Sequence, residues 1–276
     1  MKKHNDTITL ILIFFIGLAV LLYPTLSNYI NQIHATHAVE AYNEATSAMS
    51  DEEINQILSA AYDYNARLAE SQTDFISGEP KDEVYNSLLN VTGDGMIGYV
   101  TIKKIRVKLP IYHGTSSDVL AAGAGHLEGS SLPVGGARTH AIITGHRGLP
   151  AATLFSDLDK LDVGDTFTIT VLNQTLTYQV DKISIVEPED ASLLYIPDDG
   201  DYVTLLTCTP YSVNTERLLV RGKRTDDPAG TMVTADATQI DPSIVAPIVA
   251  APILILLLVF LFTYDPAKRE KKKGKR

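Results

Sequence analysis

Residues 90–224 predict a mainly β fold, a closed or nearly closed antiparallel barrel, on three observations. Short apolar or alternating runs rich in β-branched residues recur along this stretch, separated by polar turns. About 135 residues are enough to enclose a single core. So many short strands sharing one core avoid exposed sheet edges by closing on themselves. The flanks are different in kind: helical before the barrel, and apolar enough near both ends of the chain to span a membrane.

In chain order, Lys2 and Lys3 precede an almost uninterrupted apolar run over residues 8–23, which fits a membrane anchor or a cleaved signal peptide. No small-x-small cleavage site follows directly. An uncleaved anchor over residues 1–23 is therefore the preferred expectation, with processing near residues 35–38 as the alternative. Residues 24–89 read as a helical extension that ends in a loop. Within it Ile54, Ile57, Leu58, Ala61, Asn65 and Leu68 recur at helical spacing, and Ser50 to Glu53 form a capping box that starts the second of two helices. The following SQTDFISGEPKDE loses all periodicity and reads as an exposed loop.

Strands are expected at residues 96–102, 105–111, 141–144, 167–172 and 176–186, closing with a hairpin over residues 202–222. Residues 225–242 read as a linker. A second transmembrane helix is expected over residues 243–264, where Pro247 and Pro252 are tolerable kinks, followed by a basic tail over residues 265–276.

Positive charge outside both apolar runs predicts that both termini are cytoplasmic, with one large extracellular domain between them. The formal net charge of −10 conceals an asymmetry, because nine of the 23 basic residues sit in the two tails. The outer domain is thus strongly acidic, which argues against nucleic acid as a partner.

The hairpin holds the only cysteine, Cys208, with an arginine nine residues beyond it. Arg217, Leu219 and Arg221 share one strand face and Leu218 and Val220 the other, so one register sets Arg217 beside Cys208, where a cation favours the thiolate. A free cysteine is commonly a small buried hydrophobe, but a lone cysteine outside the membrane is suspect as a reactive thiol. Such a nucleophile needs a base. His113, His126, His140 and His146 lie in the outer domain proper. His146 stands out, directly after the apolar run 141–144, with Gly145 and Gly148 clearing space around the ring. His126, also bracketed by glycines, is the second choice. Close pairs such as Cys-x-x-Cys are lacking, as is a glycine-rich loop that opens a helix, so neither a metal nor a nucleotide cofactor is expected.

TLLTCTPYSVNTERLLVRG resembles the Thr-Leu-x-Thr-Cys signature of sortases with its downstream arginine, and AIITGHRG resembles the sortase histidine segment. GYVTIKKIRVKLPIYHGTS and AGHLEGSSLPVGG, with the helical extension and the second membrane helix, are similar to the class C, pilin-polymerising sortases of Gram-positive bacteria. The resemblance implies an eight-stranded sortase β-barrel with Cys208 as nucleophile, His146 as acid/base and Arg217 steadying the substrate or its oxyanion. It implies a plasma-membrane cysteine transpeptidase that cleaves a Leu-Pro-x-Thr-Gly-like (LPXTG-like) sorting signal between Thr and Gly and joins the acyl group to a lysine of a pilin subunit. The family usually carries an Asp-Pro-aromatic lid motif before the barrel, with its acid near the arginine and its ring over the cysteine. Here Asp74 and Phe75 are the nearest equivalents, without the proline. Two rival readings share the chain: a cell-wall-anchoring sortase that uses a peptidoglycan-precursor amine, and a non-enzymatic membrane-tethered scaffold with a buried Cys208.

Overall fold

The computed structural model describes residues 2–71, 74–149 and 152–226. The expected second membrane helix and basic tail, and nearly all of the linker, lie outside these residues. Chain contacts divide the protein into a unit that includes Met1–Thr25 and a unit Leu26–Val233.

Helix α1 runs unbroken from Lys2–Ser47 and carries Pro24 within it. Its portion in the first unit exposes Leu12, Ile13, Phe15, Ile16, Val20 and Leu21, and the helix is long and apolar enough to cross a membrane. The apolar run over residues 8–23 and the first extension helix, expected as separate segments, both fall within α1. Its later turns pack in the second unit. Tyr42 is fully buried there, donating to the Ile97 carbonyl at 3.1 Å and accepting from the Leu172 amide at 2.9 Å.

The predicted capping box starts α2 (Asp51–Ser71): the Glu53 carboxylate accepts from the Ser50 amide at 2.8 Å, and Ser50 Oγ accepts from the Glu53 amide at 3.3 Å. Ile54, Leu58, Ala61, Asn65 and Leu68 form its buried stripe, and Ile57 packs on the same core. Asn65 is more than a packing residue. Its amide group grips the Leu132 backbone from both sides, donating to the carbonyl at 2.9 Å and accepting from the amide at 2.7 Å. A short helix α3 (Glu83–Ser87), capped by the Asp82 side chain, leads into the barrel.

The barrel has eight strands: β1 (Met96–Ile102), β2 (Val107–His113), β3 (Ala124–His126), β4 (Thr139–Thr144), β5 (Thr166–Val171), β6 (Gln174–Val186), β7 (Asp201–Thr209) and β8 (Glu216–Arg224). They close in the order β1-β2-β3-β4-β7-β8-β6-β5. The expectation of a wholly antiparallel barrel is corrected at two places, since β2–β3 and β4–β7 are parallel. Parallel neighbours need crossovers, and the chain supplies them: helix α4 (Ser117–Ala122) links β2 to β3, and the β5–β6 hairpin intervenes between β4 and β7. Val100, Ile111, Ile143, Ile169, Val203, Leu205 and Val220 fill the core. Each such side chain contributes about 1.5–3 kcal/mol by burial.

Candidate active site

Strand β7 alternates. Val203 and Leu205 enter the core, while Leu206 and Cys208 are half-buried on the opposite side, Leu206 packing with Ile142 and Leu219. In the antiparallel β7–β8 ladder Cys208 stands directly opposite Arg217, and Leu206 opposite Leu219. Directly opposed residues share a face, so the expected register is the one formed. The Arg217 guanidinium donates to the carbonyls of Asn214 at 3.2 Å and Glu216 at 3.1 Å, which ties it to the hairpin turn.

His146 reaches the same place by another ladder. Every β4–β7 pair, from Thr139↔Asp201 to Thr144↔Leu206, is offset by 62 residues. The pairing continues one step further, with the Gly145 amide donating to the Leu206 carbonyl at 3.0 Å and Thr207 Oγ1 donating to the Gly145 carbonyl at 2.7 Å. At the next step the same offset matches His146 with Cys208. The ring is half-buried, and partial loss of solvent lowers its pKa, which keeps it neutral and able to take a proton at pH 7. Gly145 serves this geometry differently from the expectation: a Cβ there would lie 2.5 Å from the Phe155 ring, so the glycine makes room for Phe155 rather than for substrate.

Cys208 at the end of β7, Arg217 opposite it at the start of β8, and His146 just beyond the end of β4 therefore lie at adjacent strand ends, and a thiol, an imidazole and a guanidinium are the residue types that acyl transfer through a thioester uses. The Sortase domain family matches residues 100–225. The crystal structure of sortase C1 from Streptococcus agalactiae is 48% identical, with 69% of this chain and 99% of that chain covered and a TM-score of 0.64. That of sortase C from Streptococcus pneumoniae is 45% identical, covering 69% and 97%, with a TM-score of 0.65.

The chain belongs to the class C sortases. Sortases are cysteine transpeptidases. The chain is also similar to Sortase D of Bacillus subtilis, 31% identical over 130 residues, a match that spans 46% of this chain and 63% of that protein.

In this sortase the lid candidates take separate places. Phe75 joins the apolar patch that includes Leu206, with its ring centroid 5.3 Å from that of Tyr195. Asp74 instead lines a cleft with Arg67, Asp82 and Glu128. No Asp74–Arg217 ion pair exists among the described residues, so Asp74 does not take the place beside the arginine that the family's lid acid holds. The reason is local. Ile76 bridges Glu128, and a Cβ on Gly129, whose φ is +91°, would lie 2.6 Å from the Asp74 carbonyl oxygen, so the backbone there is held close against 128–129. Sequence reasoning missed Glu128 as the loop's anchor. Its buried carboxylate accepts from the amides of Lys81 at 2.8 Å and Asp82 at 2.9 Å. An acid inside an otherwise apolar, small-residue segment was the available signal.

The remaining barrel histidines are structural. His126, the second choice, is fully buried. Its Nε2–H donates to the Ser131 carbonyl at 2.7 Å, which leaves Nδ1 to accept from the Tyr85 hydroxyl at 2.8 Å. His140 donates to the Tyr195 carbonyl at 3.0 Å and accepts from Thr204 Oγ1 at 2.7 Å. His113 is buried edge-on against Tyr85. Burial lowers the pKa of both His126 and His140 to about 4, against 6.5 in the unfolded chain. The unfolded state therefore binds more protons between pH 6.5 and 4, and stability falls as pH drops through that window, by roughly 1.4 kcal/mol per pH unit for each ring. The thermal midpoint is expected to decline from pH 7 to pH 5. A midpoint unchanged over that range would contradict two buried neutral imidazoles.

Proposed function

We propose that this chain is a membrane-anchored, pilin-polymerising sortase. It cleaves an LPXTG-like sorting signal between Thr and Gly and transfers the acyl group to a lysine ε-amine of a pilin subunit, building a covalent polymer. The observation that supports the reading is the pairing of Cys208 with Arg217 in the β7–β8 ladder, together with the β4–β7 offset, which, continued past the Gly145–Leu206 hydrogen bond, sets His146 level with Cys208.

The chemistry follows from the three groups. Cys208 attacks the threonine carbonyl as its proton passes to neutral His146, and Arg217 offers positive charge where the oxyanion develops. Collapse of that intermediate breaks the Thr–Gly bond. The proton on His146 goes to the departing glycine amine, leaving a thioester. The lysine amine then attacks, His146 takes its proton, and sulfur leaves with that proton as the isopeptide bond forms. No cofactor enters this sequence.

The apolar portion of α1 supports attachment to the plasma membrane. The basic residues at both ends of the chain support cytoplasmic termini with the barrel outside, where the sorting signals of secreted pilins arrive. Pilin as substrate is supported by the class C likeness, the pneumococcal relative being described in terms of pilin substrate specificity.

The test supplies the full-length enzyme, in detergent, with a mixture of Leu-Pro-x-Thr-Gly peptides and two competing amines, a lysine-containing peptide with blocked α-amine and a short glycine peptide. Products joined through the lysine ε-amine are expected to predominate. Products carrying only the glycine peptide would move the reading to cell-wall anchoring, and the absence of both would remove the transpeptidase reading.

A further inference from the structure

We propose that Arg147 is a positioning residue that bolts the turn carrying His146 to the strand end carrying Cys208, an inference that rests on the functional reading above. Arg147 follows His146, and Thr209 follows Cys208. The Arg147 guanidinium donates to Thr209 Oγ1 at 3.0 Å and pairs through its other nitrogen with the Asp159 carboxylate. The Tyr211 ring lies 6.0 Å away on the hairpin turn. One side chain thus links three segments: the β4 exit, the end of β7 and the 3₁₀ turn Leu158–Lys160.

His146 needs such help. Among the described residues no side chain or backbone group hydrogen-bonds its ring, so the acid or amide that usually orients a catalytic imidazole is missing. The ring is aimed through its backbone instead. That backbone is held by the Phe155 amide, which donates to the His146 carbonyl at 3.1 Å, and by Ser156 Oγ, which accepts from the Gly148 amide at 3.2 Å. Both contacts tie the turn to the segment after it. Beyond the end of the β4–β7 ladder, the Arg147–Thr209 bond ties it to β7, across the gap where a proton must pass.

The cost of the arrangement points the same way. The Arg147 side chain is only 7% exposed, and its Nε is buried without a partner. Burying a cation with one N–H unsatisfied is a poor way to pack a loop, since an apolar residue of similar volume avoids the desolvation. What the guanidinium adds is a rigid planar fork that can hold Thr209 and Asp159 at once.

The test measures thioacyl formation in single turnovers by intact mass, using the full-length chain in detergent and a sorting-signal peptide. Arg147→Ala is expected to slow acylation about 10²-fold, the scale of an ångström-sized misplacement, while KM for the peptide stays within about twofold. Thr209→Val removes the other end of the same bond and is expected to slow acylation about tenfold. The double variant is expected to be no slower than Arg147→Ala alone, because both changes break one contact. Arg147→Lys is expected to recover part of the rate by reaching one partner and not both. Wild-type rates in Arg147→Ala, independent multiplying losses in the double variant, or a loss equal to the unfolded fraction would each overturn the inference. If Arg147→Ala fails to fold, a wild-type rate in Thr209→Val overturns it. Wild-type enzyme that forms no adduct removes the functional reading itself, whereas wild-type enzyme that acylates beside unaffected variants removes this inference alone.

Discussion

Cys208→Ala is expected to abolish peptide cleavage and amine transfer, a loss on the order of 10⁴-fold or more, while leaving the barrel folded. The two halves of that expectation have different physical sources. Catalysis is lost because both steps run through a bond to sulfur, and no second thiol exists in the chain to replace it. The fold survives because Cys208 is only half-buried, on the side of β7 away from the core, and β7 is held by its ladders to β4 and β8. Truncating one such side chain costs about 1 kcal/mol or less. Circular dichroism and the thermal midpoint check the second half, and peptide turnover checks the first. A variant that melts many degrees lower would show the cysteine to be a packing residue, as the scaffold reading requires.

His146→Ala is expected to lower kcat/KM for peptide cleavage by about 10²–10⁴-fold, the usual worth of a positioned acid/base. The imidazole is asked for a proton transfer in each half of the reaction, so transfer to the amine is expected to suffer as well as cleavage. Its depressed pKa sets the direction of the pH dependence. Acidification protonates the ring and removes the base, so the acid limb of kcat/KM is expected to fall at a pH below the ordinary histidine range. That limb is expected to vanish in His146→Ala. His126→Gln provides the contrast. His126 is fully buried among Tyr85, Ser130 and Ser131, so its replacement is expected to lower stability without changing the pH profile of the folded enzyme. An acid limb that survives in His146→Ala would assign the base elsewhere.

How much of this was legible in the sequence depends on the distance over which each feature is decided. The capping box at Ser50 and the buried stripe of α2 are local, and both formed as read. The Cys208–Arg217 pairing is semi-local, because a hairpin of that length has few registers and the one formed keeps Leu218 and Val220 in the core. The parallel pairings were not legible. Strand β3 has three residues, too few for an alternation signal, and its neighbours are chosen by the α4 crossover. Within the site, His146 could be ranked first from its position after an apolar run, but the physical reason that excludes His126 and His140 is their burial, which only the packed structure supplies. Asp74 was the nearest candidate for the family's lid acid, and its backbone lies close against Gly129, beside the cleft that Arg67 and Glu128 line. Arg147 escaped attention for the same kind of reason: Thr209, the partner that gives it a role at the site, lies 62 residues away.

The most direct measurement is the intact mass of the full-length enzyme after incubation with a Leu-Pro-x-Thr-Gly peptide and no amine acceptor. The expected result is an adduct equal to the peptide without its glycine end, located on Cys208, released by hydroxylamine and absent from Cys208→Ala. An unmodified mass, in enzyme whose Cys208 also resists iodoacetamide in the folded state, would contradict a thioacyl mechanism and leave the cysteine a structural residue.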